Sequence, residues 1–254
     1  MLKCGLLGRK LGHSISPQIH SMLADYSYEL FEKEEDEVGA FIEAKEYDGL
    51  NVTIPYKKTV FRYMDEVSDV ARKLGSINTI VKRKDGSLYG DNTDVFGFGE
   101  LLRVFGAKPA EKKVLVLGSG GASVSVKYVL ESVGAHTVTI SRSGEDNYNN
   151  LEKHKDASYI VNTTPVGMFP NIGETPLDPA LFEACEGVVD IIYNPPVTRL
   201  MELAGKAGIS SVNGLYMLVA QAAKSSALFR GVEADDSLIE GIYNNLREQS
   251  FTAH

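Results

Sequence analysis

The stretch KKVLVLGSGGAS, residues 112–123, constrains the fold more than any other part of the sequence. Its continuous apolar run from Val114 to Leu117 is typical of a parallel strand that is buried on both faces. Gly118, Gly120 and Gly121 then allow a tight turn, and a helical pattern begins at Ala122. Strand, turn and helix in this order predict a βαβ unit whose helix start seats a dinucleotide pyrophosphate. A purely structural turn remains the alternative.

Strand and helix patterns alternate along the chain after Asp94. Predicted helices are VFGFGELLRVFG, GSGGASVSVKYVLESVG and RLMELAGKAG, and predicted strands are KKVLVLG, HTVTISR, ASYIVNTTP and GVVDIIYNP. Such alternation is typical of a doubly wound parallel sheet. Two further helix patterns, GLYMLVAQAAKSSALFR and DDSLIEGIYNNLRE, follow. The predicted fold class is α/β, with two α/β domains and a cleft between them.

The part of the sequence before Asp94 mixes shorter patterns. KCGLLG and LNVTI predict strands, and PQIHSMLADY predicts an amphipathic helix. TVFRYMDEVSDVARKLG has helical spacing and ends at Gly75, a residue suited to a helix C-terminus. INTIVKRKDGSLYGDNTD predicts a hairpin in which Asp85 and Gly86 form the turn.

Composition narrows the class of partner. The formal net charge of −8 disfavours general binding to nucleic acid or to an anionic membrane. No apolar run approaches membrane-spanning length. The two cysteines, Cys4 and Cys185, lie in no zinc-ligand pattern, so no metal is expected, and Cys4 is predicted to be buried. We therefore expect a soluble cytoplasmic protein.

The end of HTVTISR bears on the choice of cofactor. An NAD enzyme commonly places an acidic residue there for the ribose 2′-hydroxyl, whereas this chain has Ser141, Arg142 and Ser143. An arginine can pair with a 2′-phosphate, and the two serine hydroxyls can add hydrogen bonds. The motif therefore predicts NADP. A surface arginine is the alternative, and the acidic Glu145 and Asp146 would oppose a phosphate.

Two hydroxyl residues precede the first predicted helix, in the motif GHSISPQIH. Ser16 followed by Pro17 is typical of a helix N-cap and first-turn proline. Ser14 lies two residues earlier, and two hydroxyls beside free backbone N–H groups suit a small carboxylate. Helix capping alone is the competing interpretation.

The motif NVTIPYKK raises the question of whether Lys57 or Lys58 is a solvated charge or an acid–base group. GDNTD adds Asp91 and Asp94, which commonly serve as turn or cap residues. A metal role for these carboxylates has no further ligands to support it. Pairing of one carboxylate with a lysine is the remaining role, and neutral groups such as Asn78 suit a hydroxylated ligand.

Eight stretches together resemble the shikimate dehydrogenase family: GHSISPQIH, NVTIPYK, GSINT, GDNTD, GSGGAS, NTTPVGM, DIIYNPPVT and NGLYMLVAQA. They occur in the family's order along nearly the whole chain. The resemblance implies NADPH-dependent reduction of 3-dehydroshikimate to shikimate, in the pathway to aromatic amino acids. The substrate motifs cluster before Asp94, the dinucleotide motif follows it, and Gln221 returns to the substrate side. These positions predict a substrate-binding domain of residues 1–94 plus 213–254 and a Rossmann-like, NADP-binding domain of residues 95–212.

The resemblance also implies roles for individual residues. Lys57 and Asp94 match the catalytic pair. The implied substrate ligands are Ser14, Ser16, Thr53, Asn78, Asp94, Gln221 and Tyr193. The implied cofactor contacts are Gly118, Ser119, Gly120, Gly121 and Ala122 at the pyrophosphate, Ser141, Arg142 and Ser143 at the 2′-phosphate, Thr163 and Thr164 along the cofactor, and Ile191, Gly214 and Met217 near the nicotinamide.

Two alternatives stay open at this point. A relative acting on quinate with NAD or NADP shares the same motifs. A dinucleotide-binding regulatory module without catalysis is also compatible with the fold, although the presence of Lys57 and Asp94 argues against it. The sequence leaves open whether the protein is a monomer or a homodimer.

Overall fold

The computed structural model describes residues 1–12 and 14–252, and within them the chain divides into two compact units. The first comprises Met1–Gly97 and Val219–Asn244, and the second comprises Phe98–Leu218 with the end of the chain from Asn245. The sequence-based boundaries lay at 94/95 and 212/213, and residues 253–254 of the predicted first domain lie outside the described part. Which unit holds which ligand stays a prediction.

The first unit is built on a mixed sheet in the order β2-β1-β3-β5-β6-β4. β1 pairs in parallel with β2 and β3, while β5 runs antiparallel to β3 and to β6. Its elements are β1 (Lys3–Gly8), α1 (Ser16–Leu23), β2 (Ser27–Glu32), α2 (Val38–Ala44), β3 (Gly49–Val52), β4 (Glu66–Val67), α3 (Asp69–Leu74), β5 (Thr79–Lys82) and β6 (Leu88–Asp91), with a 3₁₀ helix at Thr59–Tyr63.

The second unit contains a parallel sheet in the order β11-β10-β9-β7-β8, which confirms the predicted doubly wound pattern. Val114–Leu117 of β7 are fully buried, as the continuous apolar run predicted. The remaining elements are α4 (Asp94–Phe105), β7 (Lys113–Leu117), α5 (Gly121–Ser132), β8 (His136–Ile140), β9 (Tyr159–Asn162), β10 (Gly187–Asp190), α6 (Arg199–Lys206), β11 (Ser210–Asn213), α7 (Leu215–Arg230) and α8 (Asp236–Thr252), with 3₁₀ helices at Leu151–His154 and Pro179–Leu181. The division between the units falls within α4, α7 and α8.

The predicted hairpin is confirmed, but the continuous helix before it is wrong. β5 and β6 pair antiparallel, and Gly86 has a φ of 83° in the turn. The helical spacing from Thr59 to Gly75 is instead divided into a 3₁₀ helix, β4 and α3. Ser68 explains the break, because its side chain accepts the N–H of Ala71 and so starts α3 as an N-cap. Gly75 ends α3 with a φ of 60°, as predicted.

Sequence patterns gave no sign of β2, α2 or β11. β2 is an edge strand with no alternation of buried and exposed residues, and β11 is likewise only partly buried at the other sheet's edge. Strands of this kind are specified by their neighbours rather than by their own hydrophobic period. The prediction that Cys4 is buried is confirmed, and its burial raises the pKa of the thiol to about 12.

Candidate active site

Lys57 and Asp94 form an ion pair in the first unit. The Nζ of Lys57 lies 2.6 Å from Oδ2 of Asp94, and the two side chains are only 20% and 12% exposed. Lys58, in contrast, is exposed. Asp94 is the first residue of α4, where the helix dipole favours a carboxylate. The structure therefore selects Lys57 over Lys58 as the lysine held beside a carboxylate.

The second oxygen of Asp94 is bound by Asn78. Nδ2 of Asn78 donates to Oδ1 of Asp94 over 2.8 Å. The amide oxygen of Asn78 faces the other way and accepts the backbone N–H of Thr93 at 2.7 Å and the hydroxyl of Thr79 at 2.9 Å. The backbone N–H of Asp94 also donates, to Oδ1 of Asn92 at 3.2 Å. Both carboxylate oxygens of Asp94 are thus held by donors from different parts of the chain.

The turn after β3 brings Lys57 to this pair. The N–H of Thr53 donates to the carbonyl of Leu7, and the N–H of Tyr56 donates to the carbonyl of Thr53 at 3.0 Å. The carbonyl of Lys57 accepts the N–H of Ile77 at 2.8 Å, which ties the lysine to the segment that carries Asn78. Thr53 remains partly exposed just after β3, and Gln221 is partly buried on α7 in the same unit.

The structure corrects the role given to Ser16 as a helix cap. Ser16 is the first residue of α1, the capping position is Ile15, and no side chain caps the helix. The hydroxyl of Ser14 instead accepts the N–H of Ser16 at 3.2 Å. Both serines are partly exposed. Pro17 lies in the first turn, as predicted. Ser14 and Ser16 thus flank a helix start that no side chain caps, which suits a small anion.

His20 is a buried residue of this region that the sequence did not single out. Its Nδ1 lies 2.6 Å from the hydroxyl of Tyr26, and its ring stacks on Tyr28 at 3.8 Å between centroids. Burial lowers the pKa of His20 to about 3, so the ring is neutral at physiological pH. Its position on α1, next to the buried Ile19, was the feature of the sequence that could have indicated its burial. His20 therefore packs the helix that begins at Ser16 rather than transferring protons.

The glycine-rich turn of the second unit leaves the start of α5 open. Gly118 has a φ of 103°, and a Cβ there would lie 2.9 Å from Thr164 and 3.0 Å from Thr163, so only glycine fits. The helix begins at Gly121, one residue earlier than predicted, and no side chain caps it. A Cβ on Gly120 or Gly121 would meet nothing within 4 Å. The exposed backbone of this turn fits a pyrophosphate.

One of the two acidic residues that would oppose a phosphate at Arg142 has a partner in the structure. Arg142 and Ser143 are exposed after β8, whereas Ser141 is partly buried. The carboxylate of Asp146 binds Nε2 of the buried His154 at 2.9 Å. Asp146 therefore has a partner within its own unit.

Two threonines and a close backbone contact shape the rest of this unit's site. The hydroxyl of Thr163 donates to the carbonyl of Leu117 at 2.6 Å, and that of Thr164 donates to Oδ1 of Asn162 at 2.7 Å. The hydrogen of each hydroxyl is therefore used within the protein, and both side chains lie against Gly118. Gly214 is in direct contact with the backbone carbonyl of Ile191, which leaves no room for a Cβ.

A buried carboxylate, Asp190, supports the segment after β10 and was missed by the sequence reasoning. It accepts hydrogen bonds from Thr198 at 2.7 Å, Asn162 at 3.0 Å and the N–H of Ile192 at 3.2 Å. Burial raises its pKa to about 6. Tyr193 follows on the same segment, partly buried and with its pKa raised by that burial. Met217 is buried on α7.

Among the described residues, 1–12 and 14–252, no group of three or more His, Cys, Asp or Glu side chains could hold a metal ion. None of the described helices is long and apolar enough to cross a membrane.

A parallel sheet with an open, glycine-built helix start, in a chain that also holds a lysine against a carboxylate, is characteristic of dinucleotide-dependent oxidoreductases. Residues 6–80 match the family model described as "Shikimate dehydrogenase substrate binding domain". The "Shikimate dehydrogenase (NADP(+))" of Clostridium perfringens is 36% identical over 96% of this chain and 97% of that protein. The chain belongs to the shikimate dehydrogenase family, as its motifs predicted.

Solved structures support the same family assignment. The chorismate mutase/shikimate 5-dehydrogenase fusion protein from Clostridium acetobutylicum matches with a TM-score of 0.93 and 36% identity, over 98% of each chain. Shikimate 5-dehydrogenase from Thermus thermophilus, in complex with NADP(H) and shikimate, matches with a TM-score of 0.86 and 30% identity over 96% of this chain and 99% of that one. Quinate dehydrogenase from Corynebacterium glutamicum, in complex with NAD, also matches, with a TM-score of 0.86 and 26% identity over 95% and 98%.

Proposed function

We propose that this protein catalyses the reversible NADPH-dependent reduction of 3-dehydroshikimate to shikimate, a step in aromatic amino-acid biosynthesis. The observation that carries the proposal is the 2.6 Å contact between Lys57 and Asp94 in a chain of this family. A regulatory module without catalysis has no need of a proton-transfer pair.

Lys57 is the group that moves the proton. A bound NADP would supply the hydride chemistry at the carbon that bears the reacting oxygen. In the reduction, the ammonium of Lys57 donates a proton to the carbonyl oxygen as it becomes a hydroxyl. In the oxidation, the neutral amine takes that proton back. Asp94 holds Nζ of Lys57 in place through the 2.6 Å contact.

The substrate roles follow the resemblance and the positions of the side chains. Ser14 and Ser16 receive the carboxylate at the uncapped start of α1, where the N–H of Ser16 donates to the hydroxyl of Ser14. The ring hydroxyls are held by polar side chains that match the family's motifs: Thr53, Asn78, Asp94 and Gln221. Tyr193 completes the set of proposed substrate ligands. Residues 1–94 with 213–254 are proposed as the substrate-binding domain, and residues 95–212 are proposed as the NADP-binding domain.

The cofactor roles rest on the open turn before α5. Gly118–Ala122 would hold the pyrophosphate, because their backbone is exposed and the helix start is uncapped. Arg142, with Ser141 and Ser143, would bind the 2′-phosphate. Thr163 and Thr164 would line the cofactor, and Ile191, Gly214 and Met217 would approach the nicotinamide.

A direct assay tests the function. The purified protein is mixed with shikimate and NADP⁺, and the absorbance of the reduced cofactor is followed. We expect turnover at a much higher kcat/KM than with quinate and NAD⁺. Absence of turnover with every pair would favour a regulatory module.

Quinate with NAD is the second candidate, because a quinate dehydrogenase solved with NAD is among the matching structures. Quinate carries an additional ring hydroxyl, so the same assay separates the two substrates. A higher kcat/KM with quinate and NAD⁺ would establish this candidate. We further propose a cytoplasmic location, which suits the two free thiols, and a monomer or homodimer.

A further inference from the structure

A line of hydrogen bonds crosses the sheet of the first unit and ends on Asp94. The hydroxyl of Tyr28 donates to Oδ1 of Asn51 at 2.7 Å, and Nδ2 of Asn51 lies 3.4 Å from the hydroxyl of Thr79. That hydroxyl reaches Oδ1 of Asn78 at 2.9 Å, and Nδ2 of Asn78 reaches Asp94 at 2.8 Å. Asn51 and Thr79 face each other because they are paired residues of β3 and β5.

The donors in this line all point the same way. The amide oxygen of Asn51 is used by Tyr28, so its nitrogen presents only hydrogens to Thr79. Thr79 accepts there, and its own single hydrogen goes to Oδ1 of Asn78 at 2.9 Å, which is nearer than the hydroxyl of Thr93 at 3.2 Å. Burial raises the pKa of the Tyr28 phenol well above its usual value, so the phenol keeps its proton and can donate. Aligned donors polarise one another and strengthen the last bond, which ends on a carboxylate.

The orientation of the Asn78 amide decides whether Asp94 is held. If the amide turned over, its oxygen would face the carboxylate, and two acceptors would oppose each other. Three donors to the amide oxygen prevent this: the backbone N–H of Thr93 at 2.7 Å, the hydroxyl of Thr79 at 2.9 Å and, at the longer distance of 3.2 Å, the hydroxyl of Thr93. Asn78 and Thr79 are 3% and 0% exposed, so water cannot replace a donor that is removed.

We propose that Thr79 is a positioning residue, which with Tyr28 fixes the Asn78 amide and thereby the Asp94 carboxylate beside Lys57. The proposal rests on the proposed function, and it assigns a role to two residues that the family resemblance does not place at the substrate or the cofactor. It predicts an effect on kcat and leaves the NADP-binding unit unchanged.

The test compares Thr79→Val, which keeps the shape and removes the hydroxyl, with Thr79→Ser, which keeps the hydroxyl. We expect kcat to fall about tenfold in Thr79→Val, the equivalent of one buried hydrogen bond, with the Kd for NADP⁺ unchanged. Thr79→Ser should restore most of kcat. Ile80→Val, next on the same strand and equally buried, is the control for loss of stability and should keep the parent kcat.

Tyr28→Phe provides a second, milder perturbation. It should lower kcat severalfold in the parent, but change it little when added to Thr79→Val, since the line is then already broken. Parent kcat in Thr79→Val, failure of the serine variant to recover, or full additivity of the two changes would overturn the proposal. If Thr79→Val does not fold, an unchanged kcat in Tyr28→Phe overturns it and a lowered one supports it.

One readout does not depend on turnover. The side-chain amide of Asn78 should exchange its hydrogens slowly in the parent and markedly faster in Thr79→Val, as followed by NMR. Equal exchange rates would overturn the proposal even if the parent proved inactive with shikimate. Inactivity of the parent with slow, Thr79-dependent exchange would overturn the proposed function alone.

Discussion

Asp190 should make the stability of this protein depend on pH in a direction opposite to most carboxylates. The carboxylate is fully buried, and its pKa is raised from 3.8 to about 6 because burial disfavours the charge. The folded state therefore binds a proton that the unfolded state releases between those two pH values. Its contribution is fully present below pH ~4 and is lost as the pH rises through about 6, a change of about 3 kcal/mol.

Asp190→Asn isolates this contribution. The amide oxygen can accept from Ile192 and Asn162 as the carboxylate does, and the amide nitrogen can donate to the hydroxyl of Thr198. Because the variant has no charge to bury, its stability relative to the parent should rise by about 3 kcal/mol between pH 4 and pH 7. His20, whose lowered pKa acts in the opposite sense, is present in both proteins and cancels in the difference.

Urea unfolding of both proteins at several pH values measures the difference. The variant should gain on the parent steadily from pH 4 to pH 7 and no further above that range. A difference that stays constant with pH, or that shifts in favour of the parent as the pH rises, would refute the reasoning.

The remaining predictions concern the proposed cofactor contacts of Arg142 and the stability effects of two glycines. Arg142→Leu should weaken NADP⁺ about ten- to a hundredfold and NAD⁺ little, as judged by the Kd of each, because a charge-assisted contact contributes about 1.5–3 kcal/mol; equal loss for both cofactors would contradict the assignment. Gly118→Ala should destabilise the protein by about 1–3 kcal/mol, since φ is 103° and Thr163 and Thr164 leave no space. Gly99→Ala, in open space within α4, should instead stabilise it by up to about 1 kcal/mol, and the reverse order in thermal unfolding would count against the account.

The second unit could be predicted from the sequence because its strands are buried on both faces. The run before Gly118 has the length and composition of such a strand, and the glycines that follow mark the turn directly. The segment after Thr59 could not be predicted, because its helical spacing persists through β4. What divides it is the pairing of Glu66 and Val67 with β6, which is a tertiary contact, together with Ser68 as a local cap that starts α3.

The candidate site was predictable where residue types are chemically specific. Lys57, Asp94 and Asn78 come together as the motifs implied. The carboxylate of Asp190 and the line from Tyr28 through Thr79 were not predictable, since an aspartate at a strand end and a threonine within a strand are common everywhere. Their roles depend on burial and on pairing across the sheet, which a single sequence does not display. Ser16 was misassigned as a cap because a serine before proline is typical of one.

The most direct measurement of the central claim is kcat for the oxidation of shikimate by Lys57→Ala and Lys58→Ala under the same conditions. A positioned general acid–base group contributes about 10²–10⁴-fold, and Lys57 alone is held 2.6 Å from Asp94. Lys57→Ala should therefore lose at least about a hundredfold in kcat with its Kd for NADP⁺ nearly unchanged, while the exposed Lys58→Ala should stay close to the parent. Near-parent turnover in Lys57→Ala, or a crippled Lys58→Ala, would contradict the account.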